Sequence, residues 1–349
     1  LYSTAQGIGI SPDSAIYISA ARNIINNGCF CYFSGDGALI AVTDYPPLYP
    51  LLLAAPGILG IDPIVAARFA HAGLFAINIS LFYYVIYYST KSLFFSASGA
   101  LIFLGAKAMI RIHSMAWSEP FFLFFVLLNV LLLSKYLASR NNLLLYGSAT
   151  MVSAAILTRY AGLPLIVTSI AAIFLLSRAE LKSRLKDCLV FALFSLIPLI
   201  FWIIRNIEIA GSVTNRDIHL IYHPVSWNKL LNAAYNLSIW FIPYEISIPK
   251  IHTMINLILI LTFLFCAYYW LKKSPLREFL PHKRDTSLIC ILFIAFYLIF
   301  LLFSISFYAI DTPLDDRILA PALILFTLLI ILTGQSVYIS LARHKFSLI

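Results

Sequence analysis

An acidic residue, Asp13, stands at a strongly marked helix start in the first polar segment of the sequence. Ser11 offers a capping side chain, Pro12 fits the first helical position, and Asp13 falls in the first turn. Asp13 either only complements the helix dipole or acts as a general base, which takes a proton from an acceptor hydroxyl when a sugar is displaced from phosphate. The apolar positions that follow share one face, as in a helix lying on a membrane surface: Ile16, Ala20 and Ile24.

A second acid, Glu119, lies beside Ser118 and Pro120 at the start of an apolar run. It is either a helix-start acid or a site residue that orients the acceptor, supports Asp13 or helps to hold a metal. His113 is close enough in sequence to join it, but two residues without further ligands are a weak metal signal. The sequence therefore does not favour zinc, and a divalent metal remains an open alternative.

Four basic residues are candidates for binding an anion such as a phosphate group. Arg317 follows two aspartates, and its guanidinium either forks onto phosphate oxygens or pairs with a neighbouring aspartate. Lys107 and Arg111 lie in a short connection and either hold an anion or snorkel to the interface. Arg159 lies between two apolar runs, where an unpaired charge is costly, so it should be paired or functional, with Glu119 as one candidate partner.

Polar residues in two loops are candidates for substrate contacts. Asp44 and Tyr45 close the first polar segment, while Arg205, Asn206 and Arg216 belong to a second one. Loops of this kind on a rigid scaffold often set specificity, and the second segment either contacts sugar or acceptor or forms a lid without catalytic residues.

The elements that must position these residues are membrane helices. Hydrophobic residues make up 61% of the 349 residues and charged residues 11%, with a mean hydropathy of +0.91, whereas soluble domains carry roughly 25% charged residues. Long apolar runs without strand alternation predict an all-α polytopic membrane protein of about nine or ten spans. The predicted spans are residues 66–89, 92–108, 116–137, 143–158, 160–177, 188–204, 251–271, 287–309 and 317–337.

Charge distribution predicts the orientation. Connections on one face, together with the C-terminal tail, carry 14 of the 24 Lys and Arg, so this face is expected to be cytoplasmic. On the opposite, outer face lie 11 of the 15 Asp and Glu. The chain opens on Leu1 in a polar segment, which indicates a first helix missing from this sequence. Five cysteines show no metal spacing, and Cys29 and Cys31 are too close to predict a disulfide.

The same pattern divides the chain into five parts. Residues 1–46 form an outer loop with an amphipathic helix and Asp13, and residues 47–61 a juxtamembrane or re-entrant helix too short to span. Residues 62–204 form transmembrane helices, 205–250 an outer loop, and 251–349 the C-terminal transmembrane helices.

Seven short motifs occur in order along nearly the whole chain. They are Ser11-Pro12-Asp13-Ser14 with Ala20-Ala21-Arg22-Asn23, Tyr45-Pro46-Pro47-Leu48-Tyr49-Pro50, Ala67-Arg68, Ser118-Glu119-Pro120, Leu157-Thr158-Arg159-Tyr160-Ala161-Gly162, Trp202 to Arg205-Asn206 with Gly211-Ser212, and Arg317-Ile318-Leu319-Ala320-Pro321. This set resembles the dolichyl-phosphate-mannose protein mannosyltransferase-like and aminoarabinose-transferase-like membrane glycosyltransferases.

The resemblance implies a GT-C-type helical bundle, a polyprenyl-phosphate sugar donor and an active site at the outer face, with Asp13 as catalytic base. Many relatives carry an Asp-Glu pair where this chain has Asp13-Ser14, which disfavours a two-carboxylate or metal-assisted variant. Direct displacement would invert the anomeric centre. The acceptor is a glycan, a lipid or a protein, and the expected location is a bacterial inner membrane with the site facing the periplasm or exterior.

A polytopic transporter or lipid flippase is the alternative, since many helices with scattered charges also describe carriers. No convincing internal repeat supports it, and the acids cluster on one face. Nucleic acid is not an expected partner, because no basic patch with interleaved aromatic residues occurs.

Overall fold

Helices dominate the structure, a computed structural model that describes residues 1–214, 222–240, 249–272, 281–307 and 312–346. The helices are α1 Pro12–Asn27, α2 Leu48–Ala54, α3 Pro63–Thr90, α4 Leu93–Gly105, α5 Lys107–Ser114, α6 Glu119–Ser139, α7 Asn142–Thr158, α8 Leu163–Leu176, α9 Leu181–Ala210, α10 Trp227–Ile239, α11 Pro249–Leu271, α12 Pro281–Phe307 and α13 Asp316–Phe346. Two three-residue strands, β1 Cys31–Phe33 and β2 Leu39–Ala41, form an antiparallel hairpin.

Six of these helices, α3, α6, α9, α11, α12 and α13, are long and apolar enough to cross a membrane. The prediction of an all-α polytopic membrane protein is confirmed. Counted by helix length alone, however, the described part of the chain has fewer membrane-spanning helices than the nine or ten expected. The difference has a local cause. Ala106 is extended, so α4 and α5 meet at a 59° bend, and Arg159 is extended, which leaves α7 and α8 as shorter apolar helices.

The interior of the bundle is built on α6 and α13. α6 packs against α7, α3 and α12, and α13 packs against α12, α11 and α3. Outward-facing positions on α9 and α11 carry large apolar side chains such as Phe201, Leu257 and Leu261. An apolar outer surface around helices whose backbone groups are satisfied internally suits a hydrocarbon environment.

The two ends of α6 carry different charged groups. Glu119 begins the helix and Arg140 follows its last residue, so they lie about 30 Å apart at 1.5 Å per residue. At the Arg140 end, Arg140 Nη2 is 2.5 Å from Asp187 Oδ2, which joins two of the basic connections predicted to be cytoplasmic. The candidate site residues gather at the Glu119 end.

The N-terminal segment lies at that same end. α1 begins where the sequence predicts, with Ser11 accepting from the Ser14 amide and Pro12 at the first position. Its buried side includes Ser14, Tyr17 and Ala21, so α1 rests on the protein along a different line from the predicted Ile16, Ala20 and Ile24 face, of which only Ala20 is fully buried.

Two further local features of this segment are a disulfide and the short helix that follows the hairpin. Cys29 and Cys31 form a disulfide, contrary to expectation, because their Cα atoms are only 5.4 Å apart. After the hairpin, α2 continues into a 3₁₀ turn at Ala55–Leu59. This short apolar helix coincides with the predicted juxtamembrane segment, and its placement in a bilayer stays a prediction.

Candidate active site

The first residues of the chain contact the segment just before α6. Gly9 and Met115 form a parallel backbone bridge, and a Cβ at Gly9 would lie 2.1 Å from Met115 Sδ. The Trp117 indole donates a hydrogen bond to Ser11 Oγ at 2.8 Å. These contacts bring Asp13 beside the first residue of α6.

Four charged side chains meet at that point, each from a different part of the chain. Asp13 comes from the first turn of α1, Glu119 from the start of α6, Arg159 from the break between α7 and α8, and Arg317 from the start of α13. Arg317 Nη2 is 2.7 Å from Asp13 Oδ2, and Arg317 Nε donates to Glu119 Oε1. Arg159 Nη1 is 2.6 Å from the same Glu119 oxygen.

The four side chains of this cluster differ in how far they are buried, and this difference separates their roles. The side chain of Glu119 is 2% exposed, whereas that of Asp13 is 30% exposed. Arg159 and Arg317 are intermediate, at 16% and 15%. Glu119 therefore lies behind the two arginines as their shared counter-ion, and Asp13 is the carboxylate that a substrate can reach.

Asp13 is ionised at neutral pH in this setting. Burial raises the pKa of Asp13, but the hydrogen bond and charge of Arg317, together with a hydrogen bond from Tyr45, outweigh it and hold the pKa below its ordinary value. Tyr45 Oη donates to Asp13 Oδ1 at 3.1 Å. The carboxylate is thus oriented through both oxygens.

The aspartates next to Arg317 are not its partners. Asp316 pairs with Arg111, whose Nη1 lies 3.0 Å from Asp316 Oδ1, and the Arg317 guanidinium lies 4.4 Å from the centre of the Trp117 ring. The alternative of a pair between Arg317 and a neighbouring aspartate is therefore wrong, because the first turn of α13 directs successive side chains to different sides. The pairing of Arg159 with Glu119 is confirmed.

A cavity of about 530 Å³ opens beside the cluster. Asp13, Arg159 and Arg317 lie at its polar end, while Leu199 on α9 and Phe300 on α12 belong to its apolar wall. A charged end joined to an apolar wall formed by membrane helices matches an amphiphilic ligand with an anionic head.

The substrate-loop candidates have two different placements. Asp44 and Tyr45 line the cavity. Arg205 donates to the carbonyl oxygen of Val42, and Asn206 Nδ2 donates to that of Thr43 at 3.0 Å. Arg205 and Asn206 thus tie the loop that carries Asp44 and Tyr45 to α9, and Arg216 falls outside the described residues.

His113 and Lys107 do not line the cavity beside the cluster. His113 is buried, with its ring nitrogens 3.1 Å from Asn78 Nδ2 and 2.7 Å from the Met109 carbonyl oxygen. Lys107 is exposed at the start of α5. Within the described ranges no three His, Cys, Asp or Glu side chains are grouped as a metal site.

Tyr17 and Asp315 are among the cavity residues that were not selected from the sequence. Tyr17 lines the cavity and packs edge-on against Tyr45, and burial raises the pKa of Tyr17 to about 12, so its hydroxyl stays protonated. Asp315 lines the cavity next to Arg317. Its signal in the sequence was the run Asp315-Asp316-Arg317, but spacing does not show which of the two acids faces inward.

Gly162 positions Arg159, and its replacement gives a first testable expectation. A Cβ at Gly162 would lie 2.8 Å from the Ile156 backbone nitrogen of α7, so α8 must move away from α7. We expect Gly162→Ala to cost about 1 to 3 kcal/mol of unfolding free energy and to lower the melting temperature in detergent. Gly73→Ala is the control, because no atom lies within 4 Å of its added Cβ; equal melting temperatures for both variants would contradict the tight contact.

Comparison with known proteins yields a structural match. No protein-family model and no curated protein sequence matches the chain. A crystal structure of ArnT from Cupriavidus metallidurans bound to undecaprenyl phosphate is similar, with a TM-score of 0.60 and 16% identity, over 95% of this chain and 57% of that chain. The apo ArnT structure covers 95% of this chain and 74% of that one, with 14% identity and a TM-score of 0.47.

The chain thus spans just over half the length of the ArnT chain bound to undecaprenyl phosphate. At this level of identity the likeness concerns the fold alone. The helical bundle has the fold of this ArnT structure.

Proposed function

We propose that this protein is a membrane glycosyltransferase that moves a sugar from a polyprenyl-phosphate-linked donor to an acceptor hydroxyl. The observation that carries the proposal is the cavity, in which Asp13, Arg159 and Arg317 share one end with an apolar wall from α9 and α12. A polyprenyl-phosphate sugar has a matching arrangement of apolar chain, phosphate and sugar. ArnT, whose fold this chain shares, has been crystallised with undecaprenyl phosphate.

The reaction is a direct displacement at the anomeric carbon. The acceptor oxygen forms a bond to that carbon while its proton passes to an Asp13 carboxylate oxygen. The bond between the anomeric carbon and the phosphate oxygen breaks, and its electron pair leaves with the polyprenyl phosphate. Attack opposite the leaving group inverts the anomeric centre.

Arg159 and Arg317 stabilise the departing phosphate. Their guanidiniums lie at the cavity, and preorganised cations are most effective where charge develops. Glu119 holds both from behind through one oxygen, so the pair needs little reorganisation. Arg317 also contacts Asp13, and we expect the donor phosphate to compete for this guanidinium and leave Asp13 available to the acceptor proton.

The orientation proposed is with the cluster on the outer face. It is supported by Arg140 and the other basic connections at the opposite end of the bundle, which the positive-inside rule places in the cytoplasm. The expected location is a bacterial inner membrane, with acceptors supplied as glycan, lipid or protein on the periplasmic or exterior side.

The pH dependence of transfer follows from the pKa of Asp13. Because the base works as a carboxylate and Arg317 and Tyr45 hold its pKa below the ordinary value of an aspartate, the contribution of Asp13 is lost only as pH falls through that lowered pKa. We expect kcat/KM in proteoliposomes, which reports the ionisation of the enzyme before the donor binds, to show no acid limb from Asp13 between about pH 5 and 7. An acid limb near pH 6 in the wild type that disappears in Asp13→Glu would contradict this assignment.

The direct test is transfer of radiolabelled sugar from a panel of polyprenyl-phosphate sugars, in membranes containing the full-length protein and in matched Asp13→Asn membranes. Transfer that depends on Asp13 supports the proposal. Folded protein that transfers from none of the donors, yet moves polyprenyl lipids between leaflets, would instead establish the transporter or flippase alternative.

A further inference from the structure

Three consecutive charged residues at the start of α13 have different surroundings. Asp316 pairs with Arg111, which is itself half-exposed. Arg317 contacts Asp13 and Glu119 within the cluster. Asp315, just before the helix, lines the cavity. One of the two acids is therefore neutralised away from the cavity, and the other faces the substrate space.

The Asp315 carboxylate is only partly satisfied by the protein. Its Oδ1 accepts a hydrogen bond from the Ile318 amide at 2.9 Å, which caps α13. Among the residues that the structure describes, Asp315 has no ion-pair partner. Burial raises the pKa of Asp315 above its ordinary value. A half-buried carboxylate with one oxygen engaged at a helix cap leaves its other oxygen available to donors on a ligand.

The position of Asp315 relative to the phosphate-binding groups indicates which part of the donor it meets. The sugar ring is bonded directly to the phosphate oxygen, so it must lie beside the groups that hold the phosphate. Asp315 is two residues from Arg317 and lines the same cavity. A carboxylate repels a phosphate, which leaves the sugar as the part of the donor that Asp315 contacts.

We propose that Asp315 is a sugar-binding residue, which accepts hydrogen bonds from hydroxyl groups of the transferred sugar and restricts the donor to sugars without a carboxylate. This inference rests on the proposed function and names the substrate class of that same site.

The other polar residues that line the cavity also suit a neutral sugar. Three carboxylates, Asp13, Asp44 and Asp315, line the cavity with two arginines, and Glu119 lies behind those arginines. Hydroxyl side chains occupy other polar positions of the lining: Tyr17, Thr158, Ser304 and Thr312. Among the described residues, a uronic acid in this space would meet the carboxylates of Asp13 and Asp315, whereas a neutral sugar finds both acceptors and hydroxyls.

The test uses Asp315→Asn and, as the matched neighbour, Asp316→Asn. Asparagine caps a helix as well as aspartate does, so the start of α13 is retained, and melting temperatures check this. The substrates are the neutral donor found active in the transfer panel and the polyprenyl-phosphate donor carrying the corresponding uronic acid. kcat and KM are measured for the wild type and both variants.

We expect Asp315→Asn to raise KM for the neutral donor roughly tenfold, as for loss of a hydrogen bond to a charged group, with kcat within about threefold. We also expect Asp315→Asn to lower the ratio of kcat/KM for the neutral donor to kcat/KM for the uronic acid donor. Asp316→Asn should leave both values near those of the wild type. Unchanged KM and unchanged preference in Asp315→Asn would overturn the sugar-binding role, whereas absence of transfer by the wild type would overturn the proposed function itself.

Discussion

Asp13→Asn is expected to lower kcat by about 10²- to 10⁴-fold, with the donor KM nearly unchanged. Asparagine keeps the size and the hydrogen-bonding oxygen that Tyr45 contacts, but it accepts no proton, and loss of a positioned general base has effects of this size. The measurement is the initial rate of transfer from the active polyprenyl-phosphate donor in proteoliposomes with quantified protein.

Asp62→Asn is the matched control for this experiment. Asp62 is another aspartate of the same end of the bundle, paired with Arg22 and capping α3 through the Ile64 amide. Both members of that pair are nearly half-exposed, so the substitution should change kcat by less than about twofold. If both variants kept full activity with normal melting temperatures, Asp13 would not be the base.

Glu119→Ala is expected to have the largest effect on stability. It removes the carboxylate shared by Arg159 and Arg317, and leaves two largely buried guanidiniums with only Asp13 to compensate them. Removing one partner of a buried pair costs roughly 3 to 5 kcal/mol. Unfolding by denaturant in mixed micelles measures this cost, and transfer activity should fall in parallel because the arginines lose their fixed positions.

Two further variants separate the effect of losing the Glu119 ion pairs from a nonspecific loss of stability. Glu208→Ala removes an exposed glutamate near the end of α9 and should stay within about 0.5 kcal/mol of the wild type. The double variant Glu119→Ala with Arg159→Met should be less destabilised than the sum of its two single changes, since neither partner is then left unpaired. Additive effects would show that Glu119 and Arg159 do not interact energetically.

Much of the membrane architecture was predictable because it depends on local composition. A run of apolar residues long enough to cross a bilayer specifies a helix wherever it occurs in the chain, since lipid offers its backbone no other partners. The start of α1 was predictable for a similar reason, because Ser11 and Pro12 act on the adjacent turn. The break at Arg159 was predicted as well, as the boundary between the spans 143–158 and 160–177, whereas the 59° bend at Ala106 falls inside the predicted span 92–108 and was not.

The sequence predicted which residues belong to the candidate site better than it predicted the contacts between them. Asp13 and Glu119 were selected as acids at predicted helix starts, and Arg317 as a guanidinium that could bind phosphate. Arg159 was selected because an unpaired charge between two apolar runs is costly. Their grouping, with Glu119 behind two arginines, required the three-dimensional approach of residues up to 304 positions apart. Selection of His113 as a companion of Glu119 followed proximity in sequence, whereas the structure directs its ring to Asn78.

The sequence by itself determined that this is a helical membrane protein, because hydropathy is a property of continuous segments. Only the tertiary structure decided which side of α1 is buried, that Arg205 and Asn206 hold a loop, and that Asp315 rather than Asp316 faces the cavity. These outcomes depend on how helices from distant parts of the chain rotate and pack against one another. Local propensity carries no information on that rotation, because every side of a helix is equally compatible with its own backbone hydrogen bonds.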